Sequence, residues 1–436
     1  MASYIPATPD ERQSMLSAIG CQSIDDLYAQ VPADMKLTRL DLPEGKSELE
    51  VRRILEGLAS KNTVFPSVFR GAGAYKHYIP SIVKSVTSKE TFLTAYTPYQ
   101  AEISQGVLQS IFEYQTMICA LTGMDVSNAS LYDGASAAAE AVAMCRDRKR
   151  ATVLVSAAAH PMVRRTIETY CFGSGMEVKT VPMKNGFTDA DALAALLDDS
   201  VACVYLQQPN YYGRIEPADR LGEAVHAAGA KYVMGVNPIA MAVLKTPAEC
   251  GADVAVGEGQ PLGMPLSFGG PYLGFMACTD AMKRQLPGRI VGQTTDHDGN
   301  RAFVLTLQAR EQHIRREKAS SNVCSNQALC AMTAAVYLAA MGPDGLRQVA
   351  EQCMAKARYA AERICSVPGF DMVYPGPYFH EFVTTCPCKP EKLLSGLALR
   401  GILGGLPVEN GILWCATELN TKDEIDALEA AIREVC

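Results

Sequence analysis

Between Thr94 and Gly106 the chain reads TAYTPYQAEISQG, and Tyr96, Thr97, Tyr99, Gln100, Glu102, Ser104 and Gln105 crowd that stretch with hydrogen-bonding groups. A plain connector needs fewer such groups, so the stretch is predicted to line or border a functional site. A second concentration lies in AREQHIRREKASSN, where Arg310, His313, Arg315, Arg316 and Lys318 recur at helical spacing. It predicts a basic helix over 310–318 that is either a solvated face or a contact for an acidic partner or a substrate carboxylate. In YDGASAAAEAVAMCRDR, residues 132–148, an aspartate, a glycine and a serine precede an alanine-rich helix. The first-turn amides of such a helix can hold an anion, and a simple N-cap explains the same residues. QQPNYYG, residues 207–213, closes a β-rich run with polar side chains, as a ligand-facing strand end or a plain turn would. Finally, GEGQPLGMPLSFGGPYLGF, residues 257–275, has the shape of a cofactor-holding turn but contains no lysine, histidine, cysteine or arginine.

Several chemistries lack their signatures. No Walker A, HExxH, GxSxG or complete GxGxxG occurs, and the GAG at 71–73 precedes the first β-rich run instead of following it. The fifteen cysteines form no CxxC, and the Cys386–Cys388 pair in TCPCK has no second pair or nearby histidine to complete a ligand set. They are expected to be reduced thiols of a cytoplasmic protein, since MASYIPATPDERQ lacks a signal-peptide pattern. A net charge of −7 without a block of like charges argues against nucleic-acid or anionic-membrane partners. The apolar stretch ALCAMTAAVYLAAMG, 328–342, falls short of the roughly 20 residues that span a bilayer and is predicted to be a buried helix.

These groups need elements to position them. A chain of 436 residues with 48% apolar content exceeds one ordinary core, so more than one domain is expected. Residues 1–62 read as an amphipathic helical arm, with apolar positions three and four apart in ERQSMLSAIG and SELEVRRILEGLAS. From 63 to 316, the β-rich runs ATVLVS, EVKTVPM, VACVYLQ, KYVMGV, ADVAVG and LGFMAC are interspersed with helix-like segments. That rhythm predicts a large α/β domain with a mainly parallel sheet and a ligand site at the strands' carboxyl ends. Residues 317–436 read as a smaller α+β domain.

Taken together, FRGAGAYKHYIPSIV, TAYTPYQAEISQG, NASLYDGASAAAEA, QQPNYYG, VGEGQPLGMPLSFGGPYLGF, LPGRIVGQTTD and LTLQAREQHIRREKASSN resemble the fold-type I pyridoxal-phosphate enzymes. More closely, they resemble the P-protein family of the glycine cleavage system, in its two-chain form, on the alpha side. One small departure is the lead-in SVTSKETFLTAYTPYQ, with Lys89 and Thr91 where relatives often carry arginines. The larger departure is from the superfamily: its lysine slot falls at or beside Gln260 and its aspartate slot near Met234. Without an amine or an acid there, the resemblance implies that this chain anchors no cofactor covalently. Pyridoxal phosphate is then held by a paralogous beta chain (subunit 2), in an assembly of two alpha and two beta chains. That complex is implied to be an aminomethyl-transferring glycine dehydrogenase, which decarboxylates glycine and passes the aminomethyl group to the lipoyl group of the H protein. The 94–106 stretch is then expected near a shared active site and the 310–318 stretch at a partner contact. Two alternatives stay open: a catalytically silent scaffold, and a stand-alone enzyme using Lys245.

Overall fold

The structure, a computed structural model, describes residues 6–37, 39–319 and 321–436. It forms two compact units, one ending at Val64 and one running from Phe65 to Cys436. In the first, α1 (Pro9–Ala18) and α2 (Glu48–Ala59) each open on a capping box, Thr8 with Glu11 and Ser47 with Glu50. These satisfy amide groups that would otherwise be orphaned. No residue of α2 is buried, and Leu49, Val51, Ile54, Leu55 and Leu58 are all exposed.

The second unit is built on a seven-stranded sheet. Its strands are β1 (Val126–Ser127), β2 (Thr152–Ser156), β3 (Glu177–Val181), β4 (Val201–Gln208), β5 (Lys231–Val236), β6 (Val254–Glu258) and β7 (Gly274–Cys278). They lie in the order β1-β7-β6-β5-β4-β2-β3. The pairings from β3 through β6 are parallel, and β7 runs antiparallel to both its neighbours. The six β-rich runs read from sequence are thus six adjacent strands.

Helices α3 (Gln105–Thr122), α4 (Gly134–Met144), α5 (Pro161–Ser174), α6 (Ala218–Ala227) and α7 (Ala328–Cys365) cover this sheet. One face packs Val153, Val155, Tyr205, Val233 and Val256 against the alanines of α4 and Ile167 of α5. The other packs Leu154, Val204, Leu206, Met234 and Phe275 against Tyr114 of α3, Leu221 of α6 and Tyr337 of α7. Each fully buried aliphatic side chain of this kind stabilises the fold by about 1.5–3 kcal/mol.

A hairpin of β8 (Ile290–Thr295) and β9 (Arg301–Thr306) follows. The chain ends in a three-stranded antiparallel sheet of β10 (Glu381–Thr384), β11 (Leu406–Val408) and β12 (Gly411–Cys415). Helices α8 (Pro390–Ala398) and α9 (Lys422–Val435) pack with this sheet around Trp414, Phe382, Leu393 and Leu428.

Three expectations need correction. Residues 310–318 are not one helix: the turn Gln312–Arg315 stops where Arg316 takes φ 55°, and short 3-10 turns flank it. A positive φ in a non-glycine residue breaks the helical path. The apolar helix does not end at 342, since α7 runs to Cys365 through a kink at Gly342 and Pro343. By length and hydropathy α7 is able to cross a bilayer, yet its Ala331, Ala334, Tyr337, Ala350 and Cys353 lie in the core. Nor are all cysteines free thiols, because Cys388 is joined to Cys436.

Candidate active-site cleft

A cleft of about 800 Å³ opens at the carboxyl ends of β4, β5 and β6. It is lined by Gly73–Tyr75, Tyr132–Ser136, His160, Tyr205, Gln207, Gly235, Asn237, Glu258, Tyr272 and Gln327, among others. Its best-defined wall is the N-terminus of α4. Asp133 caps that helix, its Oδ1 accepting from the Ser136 amide at 2.8 Å. Glu258, at the end of β6, reaches across so that its Oε2 accepts from the Gly134 amide at 2.9 Å. Its Oε1 accepts from the amides of Gln260 at 3.0 Å and Leu273 at 3.1 Å. Burial pushes the Glu258 carboxyl up to about 7, against the lowering effect of those three amides. Residue 134 must be glycine, because a Cβ there would stand 2.8 Å from the Glu258 amide nitrogen. Two carboxylates therefore occupy the helix end whose amides would otherwise serve an anion.

The opposite wall is sewn together by Gln260. Its side chain is buried, its Nε2 donating to the carbonyls of Tyr75 and Met264, both at 2.8 Å. Its Oε1 accepts from the Tyr75 amide at 3.0 Å. Tyr75 in turn donates its hydroxyl to Glu381 Oε2 at 2.7 Å, and the Ala72 amide donates to Glu381 Oε1 at 2.6 Å. The GAG turn is thus a joint holding the cleft wall to β10; at Gly71 a Cβ would crowd the Glu381 carboxylate at 2.6 Å. His160 Nδ1 accepts from the Met162 amide at 3.1 Å. Its Nε2 accordingly carries the proton given to the Ala72 carbonyl at 2.9 Å. Burial lowers its pKa, against the raising effect of the Ala72 carbonyl.

Met234 is not at the cleft. Side chains alternate along β5, so Met234 points into the core on the other face, while Gly235 and then Asn237 reach the cleft. A Cβ at Gly235 would collide with the Tyr205 hydroxyl, which fills the space an acidic side chain would need. Among the described residues, no lysine or arginine lines the cleft. Lys245 lies elsewhere, its exposed Nζ donating to Asp219 at 2.7 Å. That hydrogen bond raises its pKa, the opposite of what an amine nucleophile requires. These residues do not fit covalently held pyridoxal phosphate: among the described lining residues there is no amine for the aldehyde and no cation for the phosphate, and two carboxyl groups take the α4 amides that an anion would need.

The 94–106 stretch does not line this cleft. Tyr96, Tyr99, Gln100 and Glu102 are exposed and Thr97 half-buried. Ser104 is buried at the head of α3, and Gln105 is tied to β9, donating to the Phe303 carbonyl and accepting from its amide, both at 2.9 Å. The structure does bring the two sequence-predicted clusters together. The Tyr99 ring lies edge-on to His313 at 6.1 Å, and its hydroxyl accepts from Arg289 at 3.3 Å. Tyr96 accepts from Ser325 at 2.9 Å, two residues before the cleft-lining Gln327. Arg310 serves the scaffold by donating to the carbonyls of Leu286 and Gly288. Arg315, Arg316 and Lys318 are exposed. Sequence reasoning missed His160, Tyr205, Asn237 and Glu258, although each sits at or just beyond the carboxyl half of a recognisable β run.

A mainly parallel, helix-covered sheet with a cleft at its carboxyl edge, followed by a smaller α+β sheet, defines the fold-type I pyridoxal-phosphate class. The same fold recurs at 14% identity in a glutamate decarboxylase of Lactobacillus brevis, with a TM-score of 0.70 over 95% of this chain and 97% of that one. Within the class, residues 2–432 match the family "Glycine cleavage system P-protein", and the chain belongs to that family. It is 51% identical to the "Probable glycine dehydrogenase (decarboxylating) subunit 1" of Moorella thermoacetica, over 99% of both chains. It is 49% identical to the protein of that name from Desulforamulus reducens, over 98% of this chain and 99% of the relative. A crystal structure of glycine decarboxylase (P-protein) in inhibitor-bound form superposes with a TM-score of 0.94 at 43% identity, covering 100% of both chains.

Proposed function

We propose that this chain is the alpha subunit of a two-chain glycine decarboxylase and works only with a paralogous beta chain. The observation that carries this is the refitted cleft: Gln260 is bound to backbone on both sides of its amide, and Asp133 and Glu258 hold the N-terminus of α4. A cofactor lysine must then come from the beta chain, whose pyridoxal phosphate would draw off the electron pair left when glycine loses its carboxylate. The aminomethyl product passes to the lipoyl group of the H protein, and the assembly is cytoplasmic with two alpha and two beta chains.

This chain's share is enclosure and positioning. The exposed face carrying Tyr96, Tyr99 and Glu102, backed by Arg289 and His313, offers polar groups that a second subunit can bury beside its own site. The exposed apolar side of α2 offers a further surface for that subunit. A silent scaffold is the competing reading, since the 94–106 residues lie outside this chain's own cleft. In the reconstituted complex, Tyr96→Phe and Glu102→Gln should slow glycine-dependent carbon dioxide exchange at least tenfold while assembly by gel filtration stays intact. Unchanged exchange with intact assembly would favour the scaffold.

A further inference from the structure

Away from the cleft, the loop between β10 and α8 carries Cys386 and Cys388 on either side of Pro387. A CxC pair alone offers a metal ion too few ligands. The fold supplies a third sulfur from far along the chain: Cys436 follows the last turn of α9, 48 residues beyond Cys388. The Sγ atoms of all three lie within 4.8 Å of one another. Cys388 and Cys436 form a disulfide, while Cys386 remains a thiol with its sulfur 3.9 Å from that of Cys388.

That separation is informative. Two thiolates bound to one tetrahedral zinc ion at about 2.3 Å each stand about 3.8 Å apart. The Cys386–Cys388 pair therefore already has the spacing of one edge of such a site. Once the disulfide opens, Cys436 need withdraw by less than about 2 Å to complete the triangular face. Cys436 is exposed at the end of α9, leaving the fourth position open to water.

We propose that Cys386, Cys388 and Cys436, with the disulfide reduced, form a three-thiolate site for a soft divalent cation of the zinc class. Opening it takes two electrons. A small dithiol attacks the Cys388–Cys436 bond, both sulfurs leave as thiols, and the reagent departs as its own cyclic disulfide. The cation then displaces one proton from each of the three thiols and forms three metal–sulfur bonds. Ion and disulfide exclude each other because they share two sulfurs. Either one fastens the end of α9 to the loop before α8.

The test uses the full chain reduced with a dithiol, freed of reagent without air, and titrated with Co²⁺ as a coloured stand-in for Zn²⁺. The proposal expects an intense thiolate-to-cobalt absorption band saturating at about one ion per chain and bleached by Zn²⁺. Cys386→Ser, Cys388→Ser and Cys436→Ser should each weaken binding at least tenfold, whereas Cys324→Ser, at an exposed cysteine outside the cluster, should leave it unchanged. The oxidised chain should give no band at this site until reduced. Cys386→Ser leaves the disulfide partners intact, so it tests the site even if the other two variants fold poorly. A reduced wild-type chain without the band would overturn the proposal and leave a plain dithiol pair. So would a band that survives in both Cys386→Ser and Cys436→Ser.

Discussion

Gln260 makes three hydrogen bonds to backbone in the cleft wall. An amide serves here because it both donates and accepts, answering the N–H of Tyr75 and two carbonyls at once. Gln260→Leu should leave all three backbone groups unpaired and cost about 2–4 kcal/mol, read as a lower urea midpoint at unchanged m-value. A change under about 0.5 kcal/mol would show that Gln260 is not structural. Glu381 offers a pH test. Burial raises its carboxyl from 4.5 to about 7, against the amide of Ala72 and the hydroxyl of Tyr75. A carboxyl raised in the fold binds its proton more tightly there than in the unfolded chain. Its contribution is thus fully present below pH 4.5 and lost as pH rises through about 7. On the order of 3 kcal/mol should disappear from the wild type across that window. In Glu381→Gln, urea melts at pH 5 and pH 8 should differ by correspondingly less.

At the level of elements, β5 shows how a correct strand can carry a wrong site residue. KYVMGV was recognisable as a strand, and the run of apolar side chains is what burial on both faces demands. Such a run does not mark which face holds the cleft, so Met234 and Gly235 are interchangeable until the neighbouring strands are in place. Gly235→Ala should therefore destabilise by about 1–3 kcal/mol through overpacking against Tyr205. In a Tyr205→Phe background, without the hydroxyl, that penalty should shrink; equal penalties in both backgrounds would mean that Tyr205 is not what fills the space. The capping of α4 was half legible. Asp133 could be read from local sequence, but Glu258 acts from 124 residues away. The basic run at 310–318 had helical spacing, yet Arg310 is spent on loop carbonyls and Arg316 adopts a left-handed φ. The third sulfur beside Cys386 and Cys388 arrives only when α9 packs against α8.

For the whole molecule, the fold is that of the P-protein family, while the described residues lining the cleft include no lysine or arginine. The strand order, the helices on both faces and the cleft at the carboxyl edge are retained. Around the cleft, Gln260 is bound to backbone, the Tyr205 hydroxyl fills the space beside Gly235, and Glu258 takes the Gly134 amide at the N-terminus of α4. Those three arrangements are what the proposed pairing with a cofactor-bearing beta chain calls for. The exposed apolar residues of α2 and the exposed tyrosines of 94–106 are surfaces suited to such pairing. The most direct measurement is borohydride reduction in the presence of pyridoxal phosphate, first of this chain alone and then of its complex with the beta chain, followed by mass analysis of each chain. The account predicts a reduced pyridoxyl adduct on the beta chain only; a stoichiometric adduct on a lysine of this chain would contradict it.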